Sequence, residues 1–131
     1  GRVYLAVGGD THAVLARHDP CRVAHVDHDG SETYVPSVNL LFQSAVPHGS
    51  RMIGVMLTGM GRDGADAMLE MRNAGAHTIV QDAASAVIDG MPRSAREIGA
   101  AVEVAGLSEI GARILECASA QIKDGAQGRA S

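Results

Sequence analysis

The chain has 131 residues, and 46% of them are apolar, enough to bury a core and too many for wholesale disorder. Eleven basic against fifteen acidic residues give a net charge of −4. With no block of Lys or Arg and only three aromatics (Tyr4, Tyr34, Phe42), the composition argues against nucleic-acid binding by charge or stacking. No apolar run approaches the roughly 20 residues of a membrane-spanning helix, so no membrane insertion is expected.

The first run, Val3-Tyr4-Leu5-Ala6-Val7, is β-prone and stops at Gly8-Gly9-Asp10, which predicts a strand over about residues 2–7. Residues 13–17 and 22–26 form the arms of an expected hairpin, and the polar stretch from His25 to Thr33 reads as a surface loop. Pro36-Ser37 then opens a helix, with Ser37 as N-cap and Val38, Leu41, Phe42 and Ala45 on one face. Met52 to Leu57 is a nearly all-apolar run of strand length, as in a strand buried on both faces. A Gly-rich turn over 58–64 leads into a helix over 65–74, closed by Gly75. His77 to Val80 is the next strand, and Ser85 to Ile88 a short extended piece. Pro92 suits the first position of a helix ending before Gly99, and Ala101 to Val104 is another short strand. Ser108 can cap a last helix, in which Ile110, Ile114 and Cys117 share a face, ahead of a polar tail over 123–131. Strand and helix alternate at these lengths in βαβ units, so the expected fold is α/β, doubly wound, with a mostly parallel sheet. Ala and Gly supply 37 residues between them, which suits close helix–sheet packing.

Gly59-Met60-Gly61-Arg62-Asp63-Gly64 is a literal G-x-G-x-x-G between a predicted strand and a predicted helix, with Asp82 after the next strand. That context fits a dinucleotide-binding fingerprint. Asp63, however, would place a carboxylate close to the phosphate charge. The other reading is a tight strand-to-helix turn in which Gly59, Gly61 and Gly64 serve only the backbone.

The wider sequence carries a resemblance. Gly54-Val55-Met56-Leu57-Thr58-Gly59-Met60-Gly61-Arg62-Asp63-Gly64-Ala65 is followed by Met71-Arg72-Asn73-Ala74-Gly75-Ala76, Thr78-Ile79-Val80-Gln81-Asp82, Ala84-Ser85 and Gly90-Met91-Pro92-Arg93. Upstream lie Val3-Tyr4-Leu5-Ala6, Gly9-Asp10, His12, Pro36-Ser37-Val38 and Leu41-Phe42 in the matching order. Over about residues 1–116 the chain resembles the bacterial chemotaxis protein-glutamate methylesterases, the CheB family. The Thr-Gly-Met-Gly-x-Asp-Gly and Gly-Met-Pro segments are its most specific elements.

The resemblance implies an esterase that hydrolyses glutamate methyl esters on the cytoplasmic domains of methylated chemoreceptors, with possible deamidation of receptor glutamines. It implies a Ser-His-Asp triad, no cofactor and no metal, and an N-terminal receiver domain in the parent chain. The triad aspartate maps to Asp63, and Met60 to a neighbour of the oxyanion pocket. A buried carboxylate at a strand's C-terminal end can hold an imidazole in one tautomer and stabilise its protonated form. The family's Ser-Thr-Gly-Gly turn and Gln-His segment, which carry the nucleophile and base, do not occur in these 131 residues, and none of the nine serines sits in a G-x-S-x-G elbow. Residues 1–122 are therefore expected to be the C-terminal part of a methylesterase domain, inactive alone and prone to self-association through exposed apolar surface. The competing class is a binding module: a non-catalytic fragment, or a nucleotide-binding unit using the 59–64 turn. The family's Asn-Arg-His-Arg-like stretch is replaced by Glu32-Thr33-Tyr34-Val35, and Asn39 stands for the following Asp, which removes two guanidinium groups from any acidic recognition surface.

Other polar residues read as structural. His25, Asp27, His28 and Asp29 form a metal-capable cluster, but Glu32 comes too early for a calcium loop, and a solvated loop is expected. His12 reads as a hydrogen-bonded loop histidine, His77 as a satisfied residue at the core's edge, and Asp82 as a surface turn residue. Ser94 reads as a helix-start residue. Cys21 and Cys117, 96 positions apart and without metal-ligand spacing, fit ordinary thiols in a reducing cytoplasm.

Overall fold

The computed structural model describes the backbone of residues 1–130 and the side chains of residues 1–125. Three strands form a parallel sheet in the order β3-β4-β5: β3 (Ile53–Met56), β4 (His77–Gln81) and β5 (Glu103–Ala105). Ile53 pairs with His77 and Met56 with Val80, while Ile79 pairs with Glu103. Because strand side chains alternate in direction, the sheet has two apolar faces to cover. Met56 and Val80 face one cluster with Phe42, Met68, Met71 and Ala95, contributed by α1 (Val38–Ala45), α2 (Ala65–Asn73) and α3 (Gly90–Glu97). Ile53, Val55 and Ile79 face the other, which α4 (Leu107–Ala130) covers with Ile110 and Ile114. Helices on both faces of a parallel sheet make the fold α/β and doubly wound.

Small residues set the spacing. A Cβ on Gly54 would lie 3.0 Å from Met71 Cε, so α2 packs directly onto β3 there. Met56, Met68 and Met71 are each at most 2% exposed, and each buried side chain of this size contributes about 1.5–3 kcal/mol.

The N-terminal part differs from the expected arrangement. Residues 1–7 form no strand, and Val3, Leu5 and Val7 are exposed. β-Propensity reflects fit to a pleated, half-buried surface, and among the described residues no strand lies beside this segment to supply one. The first strand is instead β1 (Thr11–Ala16), paired antiparallel with β2 (Asp19–Asp27) in a separate hairpin around Arg17-His18. The hairpin docks on α1 and the 3-10 turn that follows it: Leu15 N–H donates to Ser44 Oγ at 2.9 Å, and His48 Nε2 bonds the Ala16 carbonyl at 3.2 Å.

Ser37 caps α1, its hydroxyl accepting from Leu40 N–H at 3.1 Å. Of the other two serines expected at helix starts, only Ser108 lies at one, without capping it. Ser94 sits inside α3 and donates to the Gly90 carbonyl, and Ser108 lies within the first turn of α4. The Leu107 amide is met instead by Ser85 Oγ, which comes from a turn rather than an extended piece. α4 continues through Ala130, across positions 123–130 where composition suggests a loose tail. Lys, Gln, Arg and Ala are good helix formers, and extending a helix is far cheaper than nucleating one. α4 is also pinned to the sheet by ions: Glu103 accepts from Arg113 and pairs with His77 Nε2 at 2.9 Å. Arg113 first and His77 second hold the Glu103 carboxyl down to about 2.

Candidate active site

Asp63 lies in the turn between the C-terminal end of β3 and the start of α2, and is half-buried. Its carboxylate bridges to a different element: Oδ2 accepts from Val38 N–H at 2.8 Å and Oδ1 from Asn39 N–H at 3.1 Å. These are orphan amides of the first turn of α1, whose dipole complements a negative charge. Ser37 Oγ satisfies the next amide, Leu40, so one end of one helix is held by two side chains. An ionised carboxylate offers about four lone-pair sites. Two are committed to α1, and two remain for a further donor approaching from the open side.

The turn around Asp63 is built by close contact. Gly61 and Gly64 both have φ near +90°, a region non-glycine residues seldom enter. A Cβ on Gly64 would meet Val38 Cγ1 at 2.6 Å, and one on Gly61 would meet the Tyr34 hydroxyl at 3.2 Å. Gly59 lies against Met91, where a Cβ would come 2.4 Å from the sulfur. Gly90 packs on the backbone of Gly59 and Gly61, with 2.9 Å from its would-be Cβ to the Gly59 oxygen. The Thr-Gly-Met-Gly turn and the Gly-Met-Pro segment are thus one packed unit. Met60, at its tip, is 75% exposed.

That packing counts against the dinucleotide alternative. All the glycine faces meet atoms of this chain rather than an open cradle, and Asp63 occupies the turn with its charge directed at α1. Asp82, the residue a ribose would need, instead accepts from both Ser85 N–H and Ser85 Oγ. Those two bonds hold its carboxyl below the ordinary range.

Sequence reasoning did not find the polar residues that hold the turn in place. Buried Gln81 accepts from Thr58 N–H at 2.8 Å and donates to Ser85 Oγ at 3.1 Å. The Thr58 hydroxyl donates to the Ile88 carbonyl and accepts from Ile88 N–H. Gly59 N–H also donates to Ile88, and Met91 N–H to Gly59. Arg96 grips Asp89 with two nitrogens and donates to the Gln81 carbonyl. Its guanidinium holds the Asp89 carboxyl below the ordinary range, and the Asp89 carboxylate in turn raises Arg96. Asp89 and Arg96 are seven residues apart, on one face but beyond the three- or four-residue spacing at which helical ion pairs are read; the Thr and Gln at strand ends were the other available signal.

His12 is buried, accepts from Ser37 N–H at Nδ1 (2.9 Å), and faces His28 Nδ1 through Nε2 at 3.2 Å. Ser37 Oγ also donates to Glu32 at 2.9 Å. His12 therefore supports the N-terminus of α1, the element that holds Asp63. The loop after β2 directs Asp29 to Ser31, and among the described residues His25, Asp27, His28 and Asp29 do not bring three ligand atoms together. A cleft of about 760 Å³ lies beside Ser50, Arg51, Ala118 and Ile122, at the sheet end opposite Asp63.

Residues 1–114 match the family model for CheB methylesterase. The chain belongs to the CheB methylesterase family. It is 50% identical over 123 residues to protein-glutamate methylesterase/protein-glutamine glutaminase 1 of Caulobacter vibrioides, covering 92% of this chain and 36% of that protein. The Bordetella pertussis protein-glutamate methylesterase/protein-glutamine glutaminase is 49% identical over 117 residues, covering 88% of this chain and 33% of its own. This CheB-family chain thus spans about a third of the length of the curated relatives it matches. The crystal structure of the Thermotoga maritima CheB methylesterase catalytic domain superposes with a TM-score of 0.72 at 29% identity, covering 82% of this chain and 58% of that one. Among the described residues no helix is long and apolar enough to cross a membrane.

Proposed function

We propose that this chain is the aspartate-bearing part of a protein-glutamate methylesterase, acting in the cytoplasm on methylated chemoreceptors, with glutamine deamidation as a second activity of the same site. The observation that carries it is the Asp63 carboxylate, fixed on two α1 amides with acceptor capacity left over. In this reading residues 1–122 are the C-terminal part of the catalytic domain, followed by a polar segment over 123–131. The serine and histidine come from sequence outside these 131 residues, as does an N-terminal receiver domain.

Asp63 then acts through the imidazole. It accepts from the histidine Nδ1–H, fixes the tautomer that leaves Nε2 free to take the serine proton, and stabilises the imidazolium formed as the serine attacks the ester carbonyl. Deamidation needs the same attack on a side-chain amide, with ammonia rather than methanol leaving. Met60, exposed at the tip of the turn, is in this reading a neighbour of the oxyanion pocket. Glu32 and Tyr34, in place of a basic stretch, tune this chain to a less acidic receptor surface.

The test measures methanol release from methylated receptor. The 131-residue chain should release none, and a longer chain carrying the Ser-Thr-Gly-Gly turn and Gln-His segment should be active. In that longer chain Asp63→Asn should lower turnover by roughly 10⁴-fold through the wrong imidazole tautomer. Robust release by the 131-residue chain, or full activity of Asp63→Asn, would overturn the assignment.

A further inference from the structure

At the sheet end opposite Asp63, three chemically different ligands converge from three elements: His77 opens β4, Glu103 opens β5, and Cys117 lies on α4. A His nitrogen, a carboxylate oxygen and the Cys sulfur all lie within 4.8 Å of one another, and all three residues are half-buried. We propose that His77, Glu103 and Cys117 form a binding site for a divalent transition-metal ion of the zinc class, fastening α4 to the parallel sheet.

The donor set decides the class of ion. A thiolate and an imidazole select soft or borderline metals over Mg²⁺ and Ca²⁺, and mixed S, N and O ligation is common for Zn²⁺. Tetrahedral bonds of about 2.0–2.3 Å place ligand atoms about 3.3–3.8 Å apart. His77 Nε2 and Glu103 Oε2, now 2.9 Å apart, would open by about half an ångström to admit the ion, and the widest gap would close by at most about 1.5 Å.

The existing contacts fit a ligated state. His77 Nε2 and Glu103 Oε2 already face each other, so an ion that replaces the shared proton and sits to one side of their line meets both donors. Arg113 Nε binds the other oxygen, Oε1, and can stay there as the outer partner that orients a ligating carboxylate. Only its second contact, to Oε2 at 3.1 Å, must yield. Three protein ligands leave the fourth position to water. Binding requires the Cys117 thiolate and an unprotonated His77 Nε2, so loading releases protons to solvent. The placement, away from the C-terminal strand ends where ligands of open α/β sheets usually react, makes the role one of fastening rather than catalysis.

The experiment titrates Zn²⁺ calorimetrically into the chelator-stripped 131-residue chain and repeats the titration with Co²⁺ as a spectroscopic probe. One equivalent should bind, with an enthalpy that changes with buffer ionisation heat, and Co²⁺ should give a thiolate charge-transfer band. That band should vanish in Cys117→Ser and persist in Cys21→Ser, and His77→Gln should weaken Zn²⁺ at least about tenfold, since even outer-shell changes cost 10–100-fold. At 100 times Kd the folded-to-unfolded ratio should rise about 100-fold. Zn²⁺ should also slow alkylation of Cys117 but not Cys21 in the unsubstituted chain, a readout that does not depend on a variant folding. Absence of saturable binding, a band that follows Cys21, or binding unchanged in Cys117→Ser but lost in His25→Gln/His28→Gln would overturn the proposal.

Discussion

Asp63 has a structural duty that can be measured apart from any turnover. Replacing it with Ala removes the acceptors of the Val38 and Asn39 amides, at 2.8 and 3.1 Å. A hydrogen bond to a charged group contributes about 1.5–3 kcal/mol net, but the freed amides of a half-buried helix end regain part of that from water. Loss of a helix cap costs about 0.5–2 kcal/mol in proteins, so about 2 kcal/mol is the expected loss for both bonds together. For a domain of this size that is about 4 °C per kcal/mol, or a fall in Tm of about 8 °C. Asp63→Asn keeps one carbonyl acceptor and sets an NH₂ against the other amide, so about half the loss should remain. This differs from the expectation for a catalytic carboxylate with no part in the fold, which Ala would replace at no cost. Thermal melts followed by circular dichroism give the magnitude, and amide exchange locates it. Val38 and Asn39 should exchange up to about 30-fold faster in Asp63→Ala, the factor equivalent to 2 kcal/mol, while Leu40, held by Ser37, should change less. An unchanged Tm with unchanged exchange at Val38 and Asn39 would refute the capping argument.

Gly64→Ala should lower stability by about 2–4 kcal/mol in urea unfolding, from a strained positive φ plus overpacking where the new methyl meets Val38 at 2.6 Å; a loss under 1 kcal/mol would show that α1 yields easily. Asp89→Asn should be less stable than the parent at neutral pH. Because Arg96 depresses the folded-state pKa of Asp89, its contribution is present above the ordinary carboxyl range and fades as pH falls through the lower folded value. The gap between parent and variant should therefore shrink below about pH 4, and a gap constant down to about pH 2.5 would remove Asp89 as the cause. Exposed Val3, Leu5 and Val7, together with the edge of β3 that pairs with no strand among the described residues, should make the 131-residue chain self-associate in sedimentation velocity, with charged residues at 3 and 5 restoring monomers; a concentration-independent monomer in the parent would contradict this.

Local signals determined much of this protein. Alternating strand and helix lengths specified a doubly wound α/β fold, because each element's period must bury its apolar side. Ser37 before an apolar period placed the start of α1, and the hairpin arms were legible on either side of a short polar turn. The family motif singled out Asp63 through the residues around it. The segment over 2–7 was not decidable in the same way: its β-propensity is clear, but a strand exists only where another strand supplies hydrogen bonds. Asp63's partners lie 24 and 25 positions away on α1, Asp89's lies at the far end of a helix, and His77, Glu103 and Cys117 meet across the sheet. Sequence fixes what each side chain can do within a turn or two, where geometry is nearly invariant. Which donors and acceptors face one another across tens of residues is set only when the helices close on the sheet, because that packing chooses the partners.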